Sequence, residues 1–188
     1  MTSGADNGIL SVVSGDWMRD CYEAVTNATL GDAVRLISMA FRAAAAGVAI
    51  LLMEVLAGMA GEPMFRVPFV TSIVLVTALP ETPPARPAAI VGGHLISSFA
   101  GWLVGFLPGS SEALGAAAVA LATLGMLVAR SVHPPAGVDG FLVATSGLSV
   151  TWILSPVLVG ALLLAAYSRV VAYGERMLLQ ALAPMLAR

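Results

Sequence analysis

Apolar residues run almost unbroken through six stretches of this chain, and polar residues gather in the short breaks between them. The stretches cover roughly residues 40–61, 67–80, 88–107, 113–129, 136–148 and 150–172. A helix needs about 20 apolar residues to cross a bilayer, and four of the runs approach that length. The run 67–80 reaches only about 21 Å at 1.5 Å per residue, less than the ~30 Å hydrocarbon core. The run 136–148 is shorter still. The pattern predicts an all-α, polytopic membrane protein of about six spans, two of them short. Prolines at 80–87, 134–135 and 156 predict broken helices.

The stretch before the first run is polar. From Asp16 to Leu30, Trp17, Cys21, Ala24, Val25 and Ala28 recur at steps of three and four, which predicts an amphipathic helix lying on the membrane surface. No charged n-region precedes an apolar h-region, so no cleavable signal peptide is expected. The expected organisation is an N-terminal amphipathic segment at 1–34, a transmembrane domain at 35–175 and a tail at 176–188. Both ends are expected to be cytoplasmic, in a bacterial inner membrane.

Composition supports lipid as the solvent. The 188 residues are 59% hydrophobic and 11% charged, with mean hydropathy +0.92, against about a quarter charged in soluble domains. All nine cations are arginines. With six crossings, eight of them fall on or near one side and only Arg66 on the other, the bias that marks the cytoplasmic face. No basic run suits nucleic acid. The single cysteine excludes an internal disulfide framework and a cysteine-based metal site. No cofactor is expected, and no enzymatic ligand spacing such as His-Glu-x-x-His is present. Lipid and other copies of the chain are the expected macromolecular surroundings. A homo-oligomer is expected because few, short spans rich in small residues leave one chain little surface to seal a path through lipid. Gly101 and Gly105 have the spacing of a close helix contact.

The densest chemistry lies in Arg130-Ser131-Val132-His133-Pro134-Pro135-Ala136-Gly137. Two prolines cannot continue a helix but suit the first turn of a new one, so a helix should end near Arg130 and another begin at Pro134 or Pro135. An echo lies 47 residues earlier. Pro87, Ala89, Val91, Gly93 and Leu95 align with Pro134, Ala136, Val138, Gly140 and Leu142. Two crossings separate the copies, so both should start helices from the same face, as in repeats built around a central transport site. Helix N-termini carry unpaired N–H groups and a partial positive charge, which attract anions. Glycines 92, 93 and 137 could let backbone approach a ligand. Arg86, His94, Arg130 and His133 could add charge or donors. Glu54, Asp139 and His133 are candidates for proton coupling, because ionisable groups inside spans are costly and mark function or a buried pair. An unperturbed imidazole titrates near pH 6.5, so a His133 that holds an anion predicts flux that strengthens in acid.

These motifs resemble the HPP family of integral membrane proteins. Arg130–Gly137 carries the His-Pro-Pro signature. Pro83-Pro84-Ala85-Arg86-Pro87 followed by Gly92-Gly93-His94 resembles an upstream family segment, and Trp152 with Ser155–Gly160 resembles the proline-containing last span. The likeness covers about residues 40–172. Arg86 replaces a family glutamine, and Val138-Asp139-Gly140 replaces an alanine-rich continuation. Plastid and cyanobacterial members are associated with nitrite transport, so the resemblance implies a small-anion transporter with nitrite as the first candidate. From the helix starts, glycines and cations above, the substrate is expected near Arg86, Pro87, Gly92, Gly93, His94, Arg130, His133, Pro134, Pro135 and Gly137. The alternative is a membrane module without transport, a sensor or assembly partner.

Overall fold

Lipid offers the backbone no hydrogen-bond partner, so apolar runs of this length must pair their own N–H and C=O groups as helices. The computed structural model describes residues 32–60, 66–109 and 111–186, and among them there is no strand. The expected amphipathic helix at 16–30 lies outside the described residues. The chain divides into two compact units, Met1–Arg35 and Leu36–Arg188, and every contact named below lies within the second.

The helices are α1 (Asp32–Ala60), α2 (Arg66–Ala78), α3 (Pro87–Val104), α4 (Ser111–Val128), α5 (Gly137–Ser146), α6 (Val150–Trp152) and α7 (Val159–Leu186). Four apolar stretches are long enough to cross a bilayer: Val34–Met59, Pro87–Val104, Ser111–Val128 and Val150–Ala183. With 13 and 10 residues, α2 and α5 reach only about 20 and 15 Å. These are the two short spans that the hydropathy pattern predicts. The last span breaks at Pro156, where Ser155 leaves helical geometry (φ −145°, ψ 115°) and a π-turn over Ile153–Leu158 joins α6 to α7. Beyond it, α7 runs without interruption through 175 and 176.

Proline starts both helices that follow the polar breaks. Arg86 is extended (φ −68°, ψ 141°) with Pro87 opening α3. His133 is extended (φ −132°, ψ 91°) with Pro134 opening a 3₁₀ turn that leads into α5. The aligned residues of the echo thus play the same local role. Packing shows that the two helices are parallel. A Cβ on Gly93 would sit against His133, while Val104 packs with Ala144. Between them α4 runs the other way, with Met126 and Ala122 against Ala100 and Ala136, and Ala118 against Val104 and Ala144. The three approach closely because small residues line the seams. A Cβ on Gly101 would meet the backbone of Gly140, and one on Gly115 would meet the Phe141 ring. The Gly101 side of the small-residue motif is thus used inside the chain, and Gly105 is exposed.

The other half of the bundle packs α1, α2 and α7 around Met53, Phe69, Ile73, Val76, Ala161 and Leu164, with Ile90 of α3. α7 returns antiparallel to α1: the Tyr167 hydroxyl donates to the Ala45 carbonyl at 2.6 Å, and Arg42 pairs with Glu175 at 2.7 Å. Arg42 also donates to the Ala78 carbonyl at 3.2 Å, and Ser38 donates to Glu175. One end of the bundle therefore collects Arg42, the end of α2, the start of α3, the end of α4 and Glu175. Many large apolar side chains face outward, including Met59, Val128, Phe106 and Leu51 at 81%, 77%, 71% and 67% exposure. A water-facing monomer rarely shows such contiguous apolar surface; a lipid-facing one requires it.

Candidate functional site: a buried hydrogen-bonded chain

Ser72 on α2, His94 on α3, His133 before α5 and Asp139 on α5 are all completely buried. They come together because α2 packs antiparallel on α3 while α5 runs parallel to it. His133 lies level with Gly93 rather than with Pro87, about 9 Å into the bundle at 1.5 Å per residue. The His-Pro-Pro break is therefore enclosed by protein, the condition under which irregular backbone is tolerated at membrane depth. Glycine makes that insertion possible. A Cβ on Gly92 would collide with Ser131 Oγ, and one on Gly93 would come within 2.6 Å of His133 Cβ. Ser131 Oγ donates to the Ala88 carbonyl at 2.9 Å, pinning the break to α3.

The side chains form one continuous line. Asp139 Oδ2 lies 2.5 Å from His94 Nδ1. His94 Nε2 is 3.1 Å from Ser72 Oγ, and Ser72 Oγ is 2.9 Å from His133 Nε2. His133 Nδ1 reaches the Pro84 carbonyl at 2.7 Å. Phe69 stacks on His94 with ring centroids 4.5 Å apart, and the two imidazole centroids are 5.2 Å apart.

With His133 neutral, counting hydrogens gives one set of directions, because a carbonyl only accepts. His133 Nδ1 must carry the proton given to Pro84, so in a neutral His133 Nε2 accepts from the Ser72 hydroxyl. Ser72 has one hydrogen, and it is then spent. His94 Nε2 must accordingly donate to Ser72 Oγ. The Pro68 carbonyl, 3.0 Å from Ser72 Oγ, is supplied by Thr71 Oγ1 at 3.0 Å. One proton remains between His94 Nδ1 and Asp139 Oδ2, on either atom. The group as a whole is then electrically neutral, which keeps its burial affordable in a low-dielectric interior.

Asp–His–Ser is also the order of a hydrolase triad. Here Ser72 is completely buried, and its oxygen is already flanked by two imidazoles and a carbonyl. Among the described residues no group of three or more His, Cys, Asp or Glu is placed to hold a metal ion.

The residues singled out from sequence separate into two sets. His94, His133 and Asp139 meet in the buried line. Arg86 and Arg130 are exposed; Arg130 ends α4 in the left-handed region at φ 52°. Pro134 is exposed and Pro87, Gly92, Pro135 and Gly137 are partly buried. Gly92 and Gly93 have a packing reason of their own, while a Cβ on Gly137 would meet nothing within 4 Å. Glu54 is exposed on α1 rather than buried with the others. Sequence reasoning missed Ser72, because a hydroxyl in an apolar run is ordinary and only the fold sets it between two histidines. It also missed Glu175, whose partner Arg42 is 133 residues away.

Helices that turn an apolar exterior to lipid and enclose an ionisable cluster define a polytopic helical membrane protein. The chain belongs to the HPP family: residues 32–177 match the HPP transmembrane region. It is similar to two transmembrane proteins of Dictyostelium discoideum. One is 33% identical over 82 residues, covering 42% of this chain and 26% of that protein. The other is 30% identical over 112 residues, covering 55% and 39%. The chain thus spans well under two thirds of either relative. No solved structure matches it.

Proposed function

We propose that this chain is a membrane transporter for a small inorganic anion, with nitrite as the first candidate, and not an enzyme. The observation that carries the reading is the fully buried Asp139–His94–Ser72–His133 line inside a lipid-facing bundle. Ionisable side chains at that depth are expensive, and in membrane proteins such chains serve ion and proton pathways. The arginines support an anionic cargo. Arg42, Arg86 and Arg130 stand at the end where the polar breaks lie, whereas α2 begins with Arg66 at the other end. In this reading the arginine-rich end is cytoplasmic, in a bacterial inner membrane. Exposed Arg86 and Arg130 raise the local anion concentration there, and the Pro134–Pro135 turn begins directly after His133. Copies of the chain associate in the membrane, since one short-spanned bundle leaves a thin wall around any path.

Flux into proteoliposomes tests the reading. Purified protein should carry nitrite faster than protein-free vesicles do, with nitrate, chloride and formate as comparison anions. Protein that is folded by thermal unfolding yet carries none of the four would instead support a module that does not transport.

A further inference from the structure

Ser72 Oγ stands between two imidazole nitrogens, 3.1 Å from His94 Nε2 and 2.9 Å from His133 Nε2. Two hydrogen patterns satisfy this geometry. In the first, His94 donates to Ser72 and Ser72 donates to His133. In the second, the directions reverse: His133 Nε2–H donates to Ser72, whose hydroxyl donates to His94. Passing from the first to the second moves one proton from the Asp139–His94 pair to His133 with no movement of heavy atoms. The serine gives its hydrogen to one ring as it takes one from the other, so its own charge is unchanged. The far end of the line has hydrogen-bonding capacity left over. Asp139 Oδ1, Ser98 Oγ and Trp152 Nε1 are buried without a hydrogen-bond partner. Ser98 is one turn beyond His94 on α3, and Trp152 packs on Val143, one turn beyond Asp139 on α5. Polar atoms therefore continue from the carboxyl toward the opposite end of the bundle.

We propose that Asp139, His94, Ser72 and His133 form a proton relay with Ser72 as its toggle, and that each anion crosses together with one proton. The proposal rests on the transport reading above and specifies its energetics. At rest the line is neutral. After the transfer, Asp139 is left as a carboxylate and His133 is a cation at the level of Gly93. The groups facing His133 are Ser72 from α2, His94 from α3 and the Pro84 carbonyl. The guanidinium groups nearest in sequence, on Arg86 and Arg130, are exposed. None of these facing groups is an anion, and a buried charge without a partner costs several kcal/mol. The protonated ring is thus held only while a negative charge lies beside it. Anion and proton stabilise one another, and the pair crosses with no net charge. The proton is taken from water on one side and returned to water on the other.

The experiment uses full-length protein in vesicles holding a pH-sensitive dye, with sodium nitrite as the probe and protein-free vesicles as the control. A nitrite gradient should acidify the receiving side by about one proton per nitrite, and an imposed membrane potential should leave the rate unchanged. Ser72→Ala should lower nitrite flux at least tenfold, and Ser72→Thr, which restores a hydroxyl, should recover most of it. Asp139→Asn should lower flux and flatten its pH profile; a purely structural role would leave that profile alone. Nitrite flux that follows the membrane potential without acidification overturns the relay and leaves the transport reading standing. So does a Ser72→Ala protein with the wild-type proton-to-nitrite ratio. Absence of any anion flux overturns both.

Discussion

At the residue scale the main cost is a conformational one at Arg130. The end of α4 is tied by Ser131 N donating to the Met126 carbonyl at 2.9 Å and Arg130 N to the Leu127 carbonyl at 3.1 Å. This pair of bonds is the Schellman arrangement, whose left-handed position normally holds glycine. Arg130 occupies it at φ 52°, and the left-handed region costs a residue with a Cβ about 1–2 kcal/mol. Arg130→Gly should therefore raise the thermal unfolding midpoint in detergent, by a shift corresponding to about 1 kcal/mol. An unchanged or lower midpoint would show that the side chain makes contacts worth at least the strain. The His-Pro-Pro residues could be singled out from sequence alone because proline and histidine are conspicuous in an apolar chain. Ser72 could not, because its two imidazole neighbours belong to two other stretches.

At the element scale, helix contact rests on glycine, and the positions are not equivalent. A Cβ on Gly101 would meet the Gly140 carbonyl oxygen, and would lie 2.9 and 3.0 Å from Gly140 Cα and C. Backbone cannot rotate away as a long side chain can, so α3 and α5 would have to part. Gly47 on α1 has nothing within 4 Å. Gly101→Ala should destabilise by about 1–3 kcal/mol and loosen the seam that holds Asp139 against His94. Gly47→Ala should be neutral or stabilising by up to about 1 kcal/mol. Unfolding midpoints of the two variants, compared side by side, check the difference. The glycines and the small-residue spacing were visible in the chain. Their partners were not, since spacing leaves room for a close approach without saying what makes it.

Across the whole molecule, the alternating helix directions return Glu175 to Arg42 at the end where the polar breaks lie. The loop between α3 and α4 lies at the other end. Labelling with a membrane-impermeant thiol reagent, in a Cys21→Ser background, tests the orientation that the arginines imply. Gly109→Cys should react in intact cells and Glu81→Cys only after the membrane is opened. Reaction of both from one side would overturn the six-crossing path. A reversed pair would overturn only its direction.

The alternation of long apolar runs with proline-rich breaks was enough to determine an all-helical membrane protein with two short spans, because lipid forces each run to satisfy its own backbone. The His-Pro-Pro motif and the echo at Pro87 were likewise local, since proline sets where a helix starts whatever surrounds it. Tertiary structure alone decided that the second of these starts lies about two turns deeper than the first, where Gly92 and Gly93 leave room for Ser131 and His133. It alone joined Asp139, His94, Ser72 and His133, residues separated by 45, 22 and 61 positions. Periodicity shows which face of a helix is apolar, but in a span every face is apolar, so no sequence pattern shows which hydroxyl will meet which imidazole.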